Sequence, residues 1–137
     1  GEVKNVFAIV DTISGLKITS DDNALLTLKM KNNSLFQINF DLHSRFPRVS
    51  LEILGTEGNM FIDRINNELS FFNIRNKKWK TLKFSQKDLF KDQANYFLNC
   101  IIKKRKADVD IIDGLKTQKI IDLAFLSSKK RKMLQIR

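Results

Sequence analysis

A chain of 137 residues, of which 42% are hydrophobic, has the size and composition of one globular domain that buries a core. Its single cysteine excludes an internal disulfide. With only one histidine, no clustered zinc-type ligand set can be assembled, and we expect no metal site. The sequence has no apolar run near the roughly 20 residues of a membrane helix and no secretory signal, so we expect a cytoplasmic protein without a membrane partner.

The formal net charge of +10 would attract a polyanion such as a nucleic acid. The distribution of that charge argues against such a partner. Basic residues are scattered and form only two short clusters, KKRK at 103–106 and at 129–132, and most aromatic residues stand at apolar positions rather than between basic ones. The sequence therefore disfavours nucleic-acid binding.

The first half of the chain has the alternating pattern of β-strands. Segment 3–13 is rich in β-branched and apolar residues, and segment 21–32 alternates Leu26, Leu28 and Met30 with Thr27, Lys29 and Lys31. After a turn at "NNS" the alternation resumes. Apolar residues then fall on one face and polar residues on the other: Phe36, Ile38, Phe40 and Leu42 against Gln37, Asn39, Asp41, His43 and Arg45.

Residues 43–58, "HSRFPRVSLEILGTEG", hold the only histidine, the only proline and two of the five glycines. Short strands at 48–54 and 59–63 flank "GTEG". No helix or P-loop lysine follows it, so we interpret it as a turn rather than a phosphate cradle. A further hairpin is predicted from "ELSFFNI" to "KWKTLKF", with "RNKK" between its strands.

The last third changes to a helical period. One amphipathic helix is predicted from an N-cap at Ser85 to a basic last turn at 103–106, with Cys100 as a buried small hydrophobe. A second begins near Asp110, with Asp113 three residues later, and runs to Ser127 and Ser128 before a short strand, "MLQIR". Strands followed by helices indicate an α+β domain with an open-faced, largely antiparallel β-sheet and two α-helices packed on one face.

His43, Arg45 and Arg48 are the candidate binding residues. The histidine can contact a substrate or transfer a proton near neutral pH, and the arginines can bind a carboxylate or phosphate. The alternative is that all three are ordinary solvated residues. Trp79 either covers the hairpin edge or stacks on a sugar. We find no Gly-x-Ser-x-Gly elbow, no cysteine–histidine pair and no acidic cluster, so the chain has no self-sufficient set of catalytic residues.

The order and spacing of several segments resemble the C-terminal domain of the glucose-fructose oxidoreductase/inositol dehydrogenase/MocA family. These segments cover nearly the whole chain: "GEVKNVFAIV", then "DDNALLTLKMKNNSLFQINFDLHSRFPRVSLEILGTEGNMFID", then "FLNCI", then "DGLKTQKIIDLAFLSSKKRKMLQI". The acidic pair and small residue that begin a strand in the family stand here at Asp22, Asn23 and Ala24. The family's turn falls at 51–58, and its last helix carries the serine pair.

The resemblance implies the substrate-binding and oligomerisation half, residues 1–137, of an NAD(P)-dependent oxidoreductase acting on a sugar or sugar derivative. The family's N-terminal Rossmann domain, its Glu-Lys-Pro segment and its Asp…His catalytic helix are missing from this sequence. Because the chain begins at Gly1, we expect either a piece of a longer polypeptide or a residue left by cloning. The piece alone is expected to be inactive, with NAD or NADP bound by the missing half.

In the family, substrate contacts tend to come from the strand before that turn, which implies His43, Arg45 and Arg48 here. The stretch "FDLHSRFPR" is most similar to members that act on surface-polysaccharide and sialic-acid-like sugars. The expected partners are a sugar-type substrate and a second copy bound through the open sheet face. The alternative is a non-catalytic, stand-alone sheet module for oligomerisation or ligand binding; an anion-binding domain is a third interpretation.

Overall fold

The computed structural model describes residues 1–85 and 88–136. The chain forms two compact units, one made of Gly1–Ser44 and the residues from Lys106 onward, the other of Arg45–Arg105. Within the described residues, eight strands and two helices follow one another as β1 (Val3–Asp11), β2 (Asn23–Met30), β3 (Leu35–Asp41), β4 (Ser50–Gly55), β5 (Gly58–Asp63), β6 (Glu68–Asn73), β7 (Lys78–Lys83), α1 (Leu89–Ile102), α2 (Ile111–Lys130) and β8 (Leu134–Gln135). The predicted α+β class with open antiparallel sheets is confirmed, and the strands are shared between two four-stranded sheets.

The sheet of the first unit has the strand order β3-β2-β1-β8, and every pairing in it is antiparallel. Its register places Val6 beside Leu28 and Ala8 beside Leu26, so alternate apolar residues of neighbouring strands share one face. Ala124 of α2 joins Val6, Ala8, Leu28 and Met30 in the buried core on that face. The alternation predicted for β2 is therefore confirmed, and α2 covers the face that it defines.

Two serines near the end of α2 hold the helix against the edge of β1. Strand β8 pairs with β1 only at Asn5 and Val6, which leaves the next backbone groups of that edge without a strand partner. The Ser127 hydroxyl accepts a hydrogen bond from Ala8 N (3.0 Å) and donates to Lys132 O (2.7 Å). Ser128 Oγ accepts from Val10 N (2.9 Å). The serine pair thus accepts hydrogen bonds from backbone N–H groups of β1 that a longer β8 would otherwise pair.

Helix α2 begins where the sequence predicted. Asp110 is its N-cap, and the side chain accepts hydrogen bonds from the backbone N–H groups of Ile112 (2.8 Å) and Asp113 (3.3 Å). Asp113 in turn accepts from Asp110 N (3.4 Å), which completes a capping box. The helix continues past the serine pair and ends at Lys130, followed by Arg131 in the left-handed conformation with φ 51°.

The second unit holds an antiparallel sheet in the order β4-β5-β6-β7. The "GTEG" segment is the two-residue turn between β4 and β5, with Gly55 paired to Gly58, so the turn interpretation is confirmed. The predicted β6–β7 hairpin is also confirmed, and the rings of Phe72 and Trp79 contact each other across it with centroids 5.3 Å apart. The four strands of this sheet are short and regularly paired.

Helix α1 differs from its prediction at both ends. Its N-cap is Asp88, whose carboxylate accepts a hydrogen bond from Lys91 N (3.1 Å), and not Ser85. A carboxylate directly before the first helical turn also complements the helix dipole, which a serine does not. The helix ends at Ile102, and Lys104 has φ 49°, so the basic residues 103–106 follow the helix instead of forming its last turn. Cys100 is buried, as expected.

Candidate functional site

The candidate binding residues lie in the loop between β3 and β4, and all three are exposed. Placing His43 and Arg45 on the polar row of β3 was wrong, because the strand ends at Asp41. The Asp41 side chain accepts a hydrogen bond from Ser44 N (2.7 Å), a local turn that competes with continued strand pairing. The polar row itself is confirmed for Gln37, Asn39 and Asp41, whose neighbours on β2 lie on the face opposite α2.

His43 belongs to the first unit and lies close to Asp22. The Asp22 side chain is 2% exposed, and it accepts hydrogen bonds from Ile13 N (2.8 Å), Ser14 N (3.0 Å) and the Ser14 hydroxyl. The Ser14 hydroxyl, followed by the Ile13 amide, holds the pKa of the Asp22 carboxyl below its ordinary value, and the charge of His43 contributes in the same direction. Asp22 is therefore a buried, ionised carboxylate beside the candidate histidine.

Arg45 and Arg48 begin the second unit. Arg48 lies near Asp63, whose carboxylate accepts hydrogen bonds from Asn66 N (3.0 Å), Asn66 Nδ2 (2.8 Å) and Ile65 N (2.9 Å). The hydrogen bonds from Asn66 hold the pKa of the Asp63 carboxyl low, and the positive charge of Arg48 adds a smaller effect. Both guanidinium groups remain exposed, so they are available for a carboxylate or phosphate.

Asp22 is the functional candidate that the sequence analysis missed. Asp21 and Asp22 stand directly before β2, where an acidic pair is typical of a turn, and Asp21 is exposed. The pairing of the strands is what shows that the Asp22 carboxylate points into the protein and binds the segment after β1.

The described residues contain no dinucleotide cradle. A pyrophosphate site needs a glycine-rich turn that leads from a strand into a helix N-terminus. Gly55 and Gly58 instead stand in a turn between two strands, and Gly114 lies inside α2. Residues 1–85 and 88–136 also contain no group of three His, Cys, Asp or Glu side chains placed to hold a metal ion. The described residues therefore do not fit a nicotinamide cofactor by themselves.

None of the helices within those ranges is long and apolar enough to cross a membrane.

A shallow groove of about 420 Å³ lies on the face of the first sheet opposite α2. Paired rows of side chains line it, Phe7–Thr27–Gln37 and Ile9–Leu25–Asn39. Ile9 is 50% exposed and Leu25 is 44% exposed, so this face presents apolar side chains beside amide groups. Such a mixture is typical of a surface that binds another protein surface.

Comparison with known proteins connects this architecture to redox enzymes. The family model described as "Oxidoreductase family, C-terminal alpha/beta domain" matches residues 3–136. No curated protein sequence matches the chain. Among solved structures, levoglucosan dehydrogenase in complex with NADH and L-sorbose is similar, with a TM-score of 0.86 and 16% identity over 100% of this chain and 45% of the other.

Two further structures share the fold. An oxidoreductase from Agrobacterium radiobacter, in complex with NAD+, L-tartaric acid and magnesium, has a TM-score of 0.78 and 16% identity over 98% of this chain and 44% of its own. UDP-N-acetylglucosamine 3-dehydrogenase from Acidithiobacillus ferrooxidans has a TM-score of 0.73 and 17% identity over 93% of this chain and 39% of its own. The chain thus spans less than half the length of these structures.

Proposed function

Because the chain belongs to the glucose-fructose oxidoreductase/inositol dehydrogenase/MocA family as a C-terminal alpha/beta domain, we propose that it is the substrate-binding half of an NAD(P)-dependent oxidoreductase. The substrate is a sugar or sugar derivative, and the enzyme acts in the cytoplasm. The observation that carries the proposal is the family match over residues 3–136. Solved structures of the same fold, which hold NADH with levoglucosan or with L-sorbose, support the substrate class.

We propose that two domains share the reaction, as the family match suggests. A Rossmann domain outside this sequence binds the cofactor. When bound, the nicotinamide supplies hydride exchange at a sugar carbon. The present chain binds and orients the sugar, and on its own it is inactive.

His43, Arg45 and Arg48 are the proposed substrate-binding residues. His43 exchanges a hydrogen bond with a sugar hydroxyl, and the two arginines bind an acidic group on the substrate. Their exposure supports this role, since none of the three is committed to the core. An acidic or nucleotide-linked sugar of the kind used in surface-polysaccharide or sialic-acid-like biosynthesis would use both guanidinium groups.

The arginines are tested by comparing a neutral sugar with its acidic counterpart. In the full-length protein that carries this chain, NAD+ or NADP+ reduction is followed with a hexose and with the matching hexuronic acid. Arg45→Ala or Arg48→Ala is expected to raise KM for the acid about ten- to a hundredfold, the loss expected for a charge-assisted contact, with little change for the hexose. Arg75→Ala is the matched control, because Arg75 is an exposed arginine that pairs with Glu57 (2.7 Å) on a turn of the same unit.

Two results would contradict different parts of this proposal. If neither arginine substitution changes KM for the acid, the assignment of the binding residues is wrong, and the oxidoreductase activity itself still stands. If no sugar or sugar derivative supports reduction of either cofactor, the activity is wrong, and the chain is better described as a sheet module for assembly or ligand binding.

The open face of the first sheet is the proposed homo-oligomer interface. Ile9 and Leu25 are exposed there and line the groove together with Gln37 and Asn39. Ile9→Arg places a charge among these apolar side chains and is expected to convert an oligomer into monomers in sedimentation experiments. Ile112→Arg, at an exposed isoleucine near the start of α2, should leave the oligomer intact. A wild-type protein that sediments as a monomer at high concentration would contradict the interface.

A further inference from the structure

The connection between β1 and β2 is longer than a hairpin needs, and the carboxylate of Asp22 accepts three hydrogen bonds from its first residues. It covers residues 12–22, whereas adjacent antiparallel strands are usually joined by 2–5 residues. Its apolar side chains Ile13, Leu16 and Ile18 are exposed, so burial does not fix the loop. The hydrogen bonds from Ile13 N and from both donors of Ser14 to Asp22 fix the start of this loop.

The same aspartate also holds the segment that carries His43. Its backbone carbonyl accepts a hydrogen bond from Leu42 N (2.9 Å), one residue before the histidine. Its backbone N–H donates to Asp11 O (3.2 Å), so the residue is fixed to β1 as well. Asp22 is 2% exposed, and from this buried position before β2 it connects two exposed loops to the sheet.

We infer that Asp22 is a positioning residue, which sets His43 for contact with the sugar and holds loop 12–20 beside it as a second wall of the substrate site. The inference rests on the proposed function, because it is the sugar that gives His43 its role. Ser14 and the backbone of the loop then lie close enough to His43 to restrict which sugars fit. Specificity in this part of the site depends on a residue that does not itself touch the substrate.

The charge of Asp22 is essential to this arrangement. An ionised carboxylate accepts hydrogen bonds on both oxygens, which matches the donors of Ile13 and Ser14. In Asp22→Asn one oxygen becomes an NH2 group, so a donor faces a donor and the start of the loop is released. Asp21→Asn is the matched control. It makes the same chemical change one residue away at an exposed side chain.

Amide hydrogen exchange measures the positioning without using activity. In the full-length protein, Asp22→Asn should speed exchange at Ile13, Ser14 and Leu42 about tenfold or more, while Ala8 N–H, held by Ser127, keeps its wild-type rate. The signals of the only histidine, His43, should shift in the same variant. With a sugar that the wild-type enzyme reduces or oxidises, KM should rise about tenfold and kcat should change little.

The outcomes separate this inference from the proposed function. Faster exchange together with a raised KM in Asp22→Asn, and neither effect in Asp21→Asn, supports the positioning role. If His43→Ala raises KM but Asp22→Asn does not, the positioning role is overturned and the proposed site stands. If neither substitution changes KM, both are overturned. Should Asp22→Asn fail to fold, Ser14→Ala removes one donor to the same carboxylate, and an unchanged KM there overturns the inference.

Discussion

Replacing Gly58 by alanine is expected to destabilise the second unit by about 3 kcal/mol or more, because the new methyl group has no space and the backbone is strained. Gly58 has φ +155°, a conformation that residues with a side chain rarely adopt. A Cβ atom built there would lie 1.9 Å from the carbonyl oxygen of Phe72 on the neighbouring strand. That oxygen is main chain, so relief requires β5 and β6 to separate at their first paired residues.

Fluorescence of Trp79 measures this effect directly, since it is the only tryptophan and its ring contacts Phe72. Denaturant unfolding followed at that tryptophan should give a lower midpoint for Gly58→Ala. Gly114→Ala is the control. No atom lies within 4 Å of the position that its new methyl group would take, and alanine in a helix is expected to be neutral or to stabilise by about 0.5–1 kcal/mol. A Gly58→Ala protein with the wild-type midpoint would show that the turn does not have this geometry.

Much of this fold could be predicted from sequence because neighbouring residues determine the local structure. The alternation of Leu26, Leu28 and Met30 fixes which face of β2 is buried, and the carboxylates of Asp110 and Asp113 mark the start of α2 within one turn. Both were confirmed. In these cases the residues that determine the structure are within a few positions of the residues that adopt it.

Other features depend on partners that are distant in sequence or on competition between neighbours. Ser127 appeared only as the end of a helix, because its partner Ala8 stands 119 residues earlier. The end of β3 was misplaced since the side chain of Asp41 forms a turn with Ser44 where the alternation itself continues to Arg45. The N-cap of α1 was placed at Ser85 because serine and aspartate are both good caps, and the pattern of apolar residues does not choose between them.

The candidate site was predicted less completely than the fold. Residue type and the family resemblance together selected His43, Arg45 and Arg48, and all three are exposed. The same reasoning passed over Asp22, since two adjacent acidic residues before a strand are common in turns. Which of the two is buried is determined by the pairing of β1 with β2, where Asp11 lies beside Asn23. That register is a tertiary property.

Ser127→Ala is expected to destabilise the first unit by roughly 2–3 kcal/mol, because its hydroxyl pairs the buried N–H of Ala8 and a buried unpaired group costs about 1–3 kcal/mol. Ser127 is 0% exposed and Ala8 is 1% exposed, so water does not replace the hydroxyl at Ala8 N, whereas the hydrogen bond to Lys132 O is only partly buried. Alanine removes only the oxygen, so the loss comes from these two hydrogen bonds and a very small cavity. Circular dichroism of the helices during thermal unfolding measures the change.

Ser128, the neighbouring serine, provides a control for the hydrogen bonds between α2 and β1. Ser128 makes both of its hydrogen bonds to Val10, with 2.9 Å from Val10 N and 3.2 Å to Val10 O, and it is only partly buried. Water can therefore reach the freed groups in Ser128→Ala, and its loss should be smaller, at about 1 kcal/mol. Hydrogen exchange should accelerate at Ala8 in the first variant and at Val10 in the second. Equal losses of stability in the two variants would mean that burial does not determine the strength of the hydrogen bonds between α2 and β1. A larger loss in Ser127→Ala than in Ser128→Ala would mean that the α2 serines take the place of a strand along the edge of β1.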